Sequence, residues 1–269
     1  MTYKLLALDI DGTLTNSQKA ITPITLQALE KAEKAGIKII LATGRPTYGV
    51  APIAEKLGMD EKGGYVLSFN GGKITEWHSK QVLYERDLPR ELLPLLYKTA
   101  KDNHVSIMTY QNEYVVSETT DNPYVQIEMS LNHMGGRKVH NFLTDTNFPL
   151  PKCIITGEPA IIEKLDKELN GILSEQLSIY RSEPFFLEIM PKGIDKAYSL
   201  SILLDKLGFE RKNLIACGDG FNDISMIKYA GLGIAMANAQ PEVMRIADYI
   251  TSSNDEDGVA KVIEKFIHF

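Results

Sequence analysis

Hydrophobic residues occur in short continuous runs that alternate with longer amphipathic stretches. The apolar runs at residues 5–8, 37–42 and 65–69 are typical of strands buried on both faces of a parallel sheet. Between the first two runs, Thr22-Pro23 supplies a capping hydroxyl and a proline, and Gly36 a stop signal, which predicts a helix. Strands and helices that alternate in this way predict a parallel sheet with right-handed crossovers.

The alternation of strands and helices stops after Gly72 and resumes near Pro191. The middle of the chain reads as short paired strands with a few helices, including a helix at residues 159–173, whereas residues 132–147 are polar and poorly patterned. We therefore predict an α/β core, formed by residues 1–83 and 190–269, with an α+β domain at residues 84–189 inserted into it.

Composition narrows the class of protein. The chain has 269 residues, of which 44% are hydrophobic and 24% charged, as in a globular domain with ample core. Its 29 basic and 35 acidic residues give a net charge of −6, which disfavours a nucleic-acid surface. Apolar runs stay well short of the ~18 residues that span a membrane, and the N-terminal run is not that of a signal peptide. We expect a cytoplasmic protein whose two cysteines, Cys153 and Cys217, are buried free thiols.

Polar residues follow the predicted strands where each strand ends. The first strand is followed by Asp9-Ile10-Asp11-Gly12-Thr13, the second by Thr43-Gly44-Arg45, the third by Asn70-Gly71-Gly72, and the strand at 214–217 by Gly218-Asp219-Gly220-Phe221-Asn222-Asp223. In open α/β sheets the carboxyl ends of the strands form the edge where ligands bind. These segments, together with Lys196 on a later helix, are therefore expected to gather at one site.

Each of these signals also has an ordinary structural explanation. Thr43-Gly44 is a common turn, Asn70-Gly71-Gly72 is compatible with a hairpin, and a lysine such as Lys196 on an amphipathic helix is usually solvated. The glycine- and acid-rich loop after residue 217 is more specific. The occurrence of all of them in order, at strand ends, favours a functional site.

The residue types suit phosphoryl transfer. Several carboxylates in an oxygen-only environment suit Mg²⁺, and Thr43-Gly44 at a strand-to-helix turn offers a hydroxyl and backbone N–H groups to an anion. Lys196 supplies a fixed positive charge for a transferring phosphoryl group. Asp9 would attack phosphorus and form an aspartyl-phosphate, and Asp11 would give and take the proton.

The ordered set of motifs resembles the haloacid dehalogenase (HAD) superfamily over the whole chain. Asp9-Ile10-Asp11-Gly12-Thr13 is similar to its first motif, Thr43-Gly44-Arg45 to its second, Lys196 to its third and the loop 218–223 to its fourth. The place and size of the insertion resemble the Cof-type subfamily (type IIB). The resemblance implies a Rossmann-like parallel-sheet core with an inserted α+β cap domain of type C2B.

The resemblance also implies roles for individual residues. It makes Asp9 the nucleophile and a Mg²⁺ ligand, Asp11 the acid/base that binds Mg²⁺ through its carbonyl, and Asp219 the third ligand. The remaining residues would hold phosphate or support the site. Phosphate contacts are implied for Thr43, Gly44, Lys196 and Asn222, and a supporting or directly ligating role for Asp223. Apart from the resemblance, the place of Asn70 and Gly71 at the end of the third strand predicts contacts with substrate.

The function implied is a Mg²⁺-dependent phosphatase that hydrolyses small phosphate monoesters, with sugar phosphates as the expected substrates. Related ion pumps carry threonine at the position of Asp11, so an acid there favours water as the acceptor. A phosphosugar mutase and a non-catalytic phosphosugar-binding protein remain as alternatives. We expect a small-molecule partner, with neither nucleic acid nor membrane, and the sequence predicts neither the individual substrate nor the oligomeric state.

Overall fold

The computed structural model describes residues 3–267, and they divide into two compact units. We call core unit the described residues up to Gly44, Pro52–Tyr84 and the described residues from Asp195 onward. We call insert unit Arg45–Ala51 and Glu85–Ile194. The domain boundaries predicted above, after residues 83 and 189, stay a prediction beside this division.

The strands are short and mostly buried. Within residues 3–267 they are β1 (Leu5–Leu8), β2 (Lys38–Ala42), β3 (Tyr65–Ser68), β4 (Lys73–Glu76), β5 (Val82–Glu85), β6 (Ser106–Gln111), β7 (Tyr114–Ser117), β8 (Gly135–Lys138), β9 (Cys153–Thr156), β10 (Leu177–Glu183), β11 (Phe186–Pro191), β12 (Leu214–Gly218), β13 (Leu232–Ala235) and β14 (Tyr249–Ile250).

The α-helices connect these strands. In the same described range they are α1 (Pro23–Lys34), α2 (Thr47–Lys56), α3 (Met59–Lys62), α4 (Leu93–Asp102), α5 (Pro123–Leu131), α6 (Phe142–Asp145), α7 (Pro159–Leu173), α8 (Lys196–Leu207), α9 (Ile224–Tyr229), α10 (Pro241–Ile246) and α11 (Gly258–Phe266).

The larger sheet has the order β14-β13-β12-β1-β2-β3-β4-β5. The strands from β14 to β3 pair in parallel, and β4 pairs antiparallel with β3. The chain runs outward from β1 to β3 on one side of β1, whereas β12 lies on its other side. The sheet order therefore reverses between β1 and β12, and such a reversal opens a crevice at the carboxyl ends of the strands.

The core unit owes its stability to apolar burial. All four residues of β1 are completely buried, as the continuous apolar run predicts for a central parallel strand. One apolar cluster packs β1, β2 and β12 against α8 and α9, and its members Leu200, Leu203 and Met226 are completely buried. The packing holds the ends of these strands in fixed relative positions.

The insert unit is a six-stranded, mostly antiparallel sheet with the order β10-β11-β9-β6-β7-β8. One face carries an apolar cluster with residues from α4 and α7, including Leu96, Ile155, Leu165 and Leu187. Polar and charged side chains, described below, occur on the same strands.

The secondary structure predicted from the sequence is largely confirmed. Helix α7 spans the predicted residues, and α1 has the predicted Thr22 cap, which accepts a hydrogen bond from the Thr25 backbone N–H. The polar, poorly patterned stretch 132–147, for which no element was predicted, contains β8 and α6. All four residues of β8 are exposed and two are glycines, so the strand has no apolar alternation that would reveal it.

Two further observations concern membranes and cysteines. Among the helices of residues 3–267, none combines the length and the apolar character that crossing a membrane requires. Cys153 and Cys217 are both buried free cysteines, as expected.

Candidate active site

Four neighbouring strands deliver polar residues to one edge of the core sheet. Asp9 follows β1, Thr43 follows β2, Asn70 lies just beyond β3 and Asp219 follows β12. Since β12, β1, β2 and β3 are adjacent and parallel, these four residues lie at the carboxyl edge of the sheet, beside the reversal of strand order. The residues predicted from strand ends are thus brought together by the topology.

Lys196 reaches this edge from the start of α8. Asp195 caps the helix by accepting a hydrogen bond from the Tyr198 backbone N–H, which places Lys196 at the first helical position. The Lys196 side chain is completely buried, with its Nζ 2.6 Å from Asp9 Oδ1 and 2.5 Å from Asp223 Oδ1. A buried ammonium held between two carboxylates is a fixed positive charge.

Asp223 also shapes the loop that follows β12. Its Oδ2 accepts backbone N–H groups of Asp219 and Gly220, each at 2.9 Å, so one carboxylate orients both Lys196 and the loop. A Cβ at Gly218 would lie 2.5 Å from the Asp223 Cβ, so this closeness requires glycine. These contacts give Asp223 an orienting function whether or not it also binds a metal.

Three carboxylates are close enough to hold one metal ion. One oxygen each from Asp9, Asp219 and Asp223 lies within 4.8 Å of the others. Thr13 donates a hydrogen bond from its hydroxyl to Asp219 Oδ1 at 2.7 Å and fixes that carboxylate. Gly12 has φ +85°, and a Cβ there would lie 2.4 Å from Asp219 Oδ2. The close approach of Asp219 to the turn after β1 therefore depends on glycine.

The charge in this core cluster (Asp9, Lys196, Asp219 and Asp223) is unbalanced. Burial, and next the Asp223 carboxylate, raise the pKa of Asp9 to about 8 against the lowering effect of Lys196. Burial also raises the pKa of Asp219 to about 6. Burial acts to lower the pKa of Lys196, but Asp223 and Asp9 outweigh it and raise that pKa. Three carboxylates around one ammonium leave excess negative charge, and an oxygen-only donor set of this kind fits Mg²⁺.

The carboxylate of Asp11 has a different partner. Its Oδ1 accepts a hydrogen bond from Lys19 Nζ at 3.0 Å, and its side chain is 37% exposed. The group of metal-capable carboxylates found among the described residues does not include it. The predicted contribution of Asp11 to metal binding was its backbone carbonyl, which this arrangement of the side chain does not oppose.

Of the residues predicted to hold phosphate, Thr43 and Gly44 follow β2, Lys196 begins α8 and Asn222 lies in the loop after β12, close to the predicted substrate contact Asn70. Asn222 donates its side-chain N–H to Asn70 Oδ1 at 3.0 Å, and Asn70 donates its backbone N–H to the Thr43 carbonyl at 2.8 Å. A Cβ on Gly44 would lie 3.3 Å from Asn70 Oδ1. Asn70 has φ +52°, a left-handed conformation that asparagine tolerates better than most residues. Asn70 thus links the end of β3 to the loop after β12 through a hydrogen bond from Asn222.

Gly71 has a packing explanation as well as its predicted substrate contact. Its carbonyl accepts the Ser199 hydroxyl, and an added Cβ would lie 2.4 Å from Ser199 Oγ and 2.7 Å from the Asp195 carbonyl oxygen. Glycine at this position lets the third strand end pack against the first turn of α8, which carries Lys196.

Two contributors were missed in the sequence. Thr13 belongs to the first motif, but no role was predicted for its hydroxyl. A threonine directly after Asp-Gly at a strand end could have indicated a hydrogen bond to a neighbouring carboxylate. Lys19 lies in a polar turn eight residues after Asp11, and no spacing rule connects the two. The contact between Lys19 and Asp11 depends on the three-dimensional course of the loop between them.

The fold, the strand-end residues and the buried lysine define a class of protein. The chain belongs to the haloacid dehalogenase-like hydrolase family, whose model matches residues 6–263. The resemblance identified from the motifs is thereby confirmed.

Individual relatives give the activity of the class. The "Putative phosphatase YxeH" of Bacillus subtilis is 34% identical over 271 residues, which cover 98% of each chain. The 5-amino-6-(5-phospho-D-ribitylamino)uracil phosphatase YcsE of the same organism is 34% identical over 98% of this chain and 96% of its own. The protein is a phosphatase, and its sequence similarity to these relatives covers at least 96% of their length.

Solved structures agree with the fold. A haloacid dehalogenase-like hydrolase from Bacteroides thetaiotaomicron is 50% identical, with a TM-score of 0.95 and coverage of 99% of this chain and 100% of that one. The HAD subclass IIB sugar phosphatase BT4131 is 25% identical, with a TM-score of 0.79 and 98% coverage of both chains. The predicted fold class, an α/β core of the HAD type, is confirmed.

Proposed function

We propose that the protein is a Mg²⁺-dependent phosphatase that hydrolyses small phosphate monoesters, sugar phosphates among them, through an aspartyl-phosphate on Asp9. The observation that carries this proposal is the buried contact of 2.6 Å between Lys196 Nζ and Asp9 Oδ1, beside the carboxylates of Asp219 and Asp223. A nucleophile held next to a buried cation suits attack on a dianionic phosphate.

The first half of the reaction transfers the phosphoryl group to the protein. A carboxylate oxygen of Asp9 attacks phosphorus, the bond between phosphorus and the ester oxygen breaks, and Asp11 protonates the departing oxygen. Lys196 offsets the negative charge, and Thr43, Gly44 and Asn222 hold the other phosphate oxygens.

The second half regenerates the protein. A water molecule attacks the phosphorus of the aspartyl-phosphate while the carboxylate of Asp11 takes its proton. The bond between phosphorus and the Asp9 oxygen breaks, so that inorganic phosphate leaves and Asp9 is again a carboxylate. Asp11 ends the cycle protonated, ready for the next leaving group.

Asp9, Asp219 and the carbonyl of Asp11 are the proposed Mg²⁺ ligands, and Asp223 is in reach of the same position. When bound, Mg²⁺ supplies positive charge that neutralises phosphate and carboxylates together. The excess negative charge of the core cluster supports this assignment.

Sugar phosphates are proposed because of the type IIB resemblance and two named relatives. One is a sugar phosphatase, and the other acts on a phosphoribityl compound. The net charge of −6 also favours a small soluble ester over a polyanion.

Hydrolysis of p-nitrophenyl phosphate tests the proposal, with Mg²⁺, with EDTA and with the Asp9→Asn variant. Turnover should require Mg²⁺ and fall at least about a thousandfold in Asp9→Asn, since the nucleophile is lost. The matched control is Asp60→Asn, which alters an exposed carboxylate paired with Lys80 and should leave turnover unchanged. Full turnover in Asp9→Asn or in EDTA would contradict the mechanism. A panel of sugar phosphates and bisphosphates then separates hydrolysis from mutase activity and from binding alone.

A further inference from the structure

Every carboxylate of the first and fourth motifs accepts a hydrogen bond from a side chain. Asp9 and Asp223 share Lys196, and Asp219 accepts the Thr13 hydroxyl. The remaining carboxylate, on Asp11, has its Oδ1 3.0 Å from Lys19 Nζ. The lysine therefore contacts the one side chain that the proposed reaction needs for moving protons.

We propose that Lys19 is a positioning residue for Asp11, and this inference rests on the function proposed above. Its ammonium contacts Oδ1 of the Asp11 carboxylate and so restrains the orientation of that carboxyl group. The carboxyl group gives its proton to the departing ester oxygen and later receives one from the attacking water, and both transfers depend on where it lies.

The backbone fixes where the Lys19 side chain begins. Asn16 Oδ1 accepts the backbone N–H groups of Gln18 and Ala20, each at 3.0 Å, and the Lys19 N–H donates to the Asn16 carbonyl at 2.9 Å. Lys19 itself has φ +58°, in the left-handed region that lysine seldom adopts. Such a conformation persists only where the surrounding structure determines it, so the turn is well defined.

This turn is also anchored to a part of the core unit that is distant in the sequence. Ser17 donates its backbone N–H to Asp255 Oδ1 at 2.8 Å and its hydroxyl to Asp255 Oδ2 at 2.6 Å. Asn254 donates its side-chain N–H to the Thr15 carbonyl at 2.9 Å. The segment is thus anchored at Thr15 and Ser17, and the local hydrogen bonds of Asn16 extend this order to Lys19, which keeps the ammonium within reach of Asp11.

A role in stability does not explain the pair. The side chains of Lys19 and Asp11 are 66% and 37% exposed, and exposed ion pairs contribute little to folding. A short aspartate side chain has few rotamers, however, and a proton transfer is sensitive to the position of the donor oxygen. The expected consequence of the contact is kinetic.

The dependence of rate on the leaving group tests this role. The value of kcat/KM reports the steps up to release of the leaving group. An alkyl oxygen needs a proton from Asp11 when it leaves, whereas p-nitrophenolate and acetate leave without one. Lys19→Met should therefore lower kcat/KM about tenfold for a sugar phosphate and less than about twofold for p-nitrophenyl phosphate and acetyl phosphate. Lys19→Arg, which keeps a donor, should recover most of the loss.

Lys62→Met is the matched control. Lys62 forms an ion pair with Glu33 at 3.1 Å in the same unit, and its loss should not alter the ratio between the two substrate classes. Equal losses for both classes in Lys19→Met, or a change no larger than in Lys62→Met, would overturn the inference while leaving the phosphatase intact. An unsubstituted protein that hydrolyses none of these esters would overturn the proposed function and this inference together.

Discussion

Both units bury a lysine beside a carboxylate, but they differ in how the negative charge of the carboxylates is compensated. In the core unit, Lys196 lies between Asp9 and Asp223 at 2.6 and 2.5 Å. In the insert unit, Lys152 lies 3.2 Å from Glu188, and both residues are more than nine-tenths buried. The core cluster has three carboxylates around one ammonium, whereas the buried carboxylates of the insert unit also accept hydrogen bonds from neutral side chains.

Neutral donors complete the arrangement in the insert unit. The Tyr180 hydroxyl donates to Glu188 Oε2 at 3.0 Å. A second buried carboxylate, Glu128, accepts the Tyr110 hydroxyl at 2.6 Å and an Asn132 side-chain N–H at 2.7 Å. We call these five residues, together with Lys152, the insert cluster. Its carboxylates are supplied with donors, which is the condition for burying charge in a folded domain.

The difference shows what distinguishes a chemical site from a structural network of the same residue types. The core cluster retains raised pKa values at Asp9 and Asp219, and so retains an affinity for added positive charge. The insert cluster has donors of its own. Charged side chains in the core unit should therefore govern turnover, and those in the insert cluster should govern stability.

Lys196→Met tests the core cluster and has the largest expected effect. The variant leaves Asp9 and Asp223 close together without the buried ammonium that contacts both. We expect kcat/KM for p-nitrophenyl phosphate to fall about a thousandfold, since a preorganised cation at the phosphoryl group is lost. Lys206→Met, an exposed lysine on the same helix, is the control. Near-normal turnover of Lys196→Met would remove the distinction between the two clusters.

Lys152→Met tests the insert cluster. Removing one member of a buried pair leaves Glu188 without its cation, which should lower the free energy of unfolding by about 3–5 kcal/mol. The double variant Lys152→Met/Glu188→Leu should recover most of this loss, because an apolar pair needs no compensation. Urea denaturation measures both. Lys167→Met, which breaks an exposed pair with Glu163, should cost less than about 1 kcal/mol. A double variant as unstable as the single one would contradict the structural role.

Much of the fold could be predicted because local signals and tertiary structure agree. The four apolar residues of β1 predict a central strand, and Pro159 and the apolar spacing predict α7 to the residue. The strand β8 could not be predicted, since an exposed segment that starts with two glycines has no burial pattern. Its strand conformation comes from pairing with β7, which is a long-range property.

The site was predictable to the extent that each contributor follows a strand. Asp9, Thr43 and Asp219 lie at strand ends, so topology alone gathers them. The distances from Lys196 to its two carboxylates required the structure, because α8 follows the long insertion. Contacts such as that between Lys19 and Asp11 depend on the course of one loop and have no pattern in the sequence.

Magnesium should stabilise the protein in a manner that depends on pH. The folded pKa of Asp9, about 8, lies above its ordinary value of 3.8, so the folded state binds more protons than the unfolded state between those values. Without metal, the contribution of Asp9 to stability therefore falls as the pH rises from about 4 to about 8. Mg²⁺ competes with this proton, so it should stabilise more at about pH 8 than at about pH 5.

Thermal unfolding with Mg²⁺ or EDTA at the two pH values measures this effect. At about a hundred times its Kd, the metal should add about 2.7 kcal/mol near pH 8. Asp219→Asn should abolish the difference in stability between Mg²⁺ and EDTA near pH 8. Glu188→Gln in the insert cluster should preserve that difference. The same stabilisation at both pH values would show that the excess charge of the core cluster does not attract the metal.

Thr13→Val has the smallest expected effect. It tests whether a small change beside the core cluster alters the Mg²⁺ requirement while a similar change in the insert cluster does not. Its hydroxyl fixes Asp219 Oδ1 at 2.7 Å, and removing a group that orients a metal ligand typically weakens the metal about tenfold. We expect the Mg²⁺ concentration for half-maximal turnover to rise about tenfold, with kcat at saturating Mg²⁺ nearly unchanged. Thr25→Val removes a similar hydroxyl contact to Asp257 in the same unit and should leave the metal requirement unaltered. Tyr180→Phe removes a hydroxyl from Glu188 and should lower stability without changing the requirement for Mg²⁺. A rise in that requirement for Tyr180→Phe, or none for Thr13→Val, would contradict the assignment of metal binding to the core cluster.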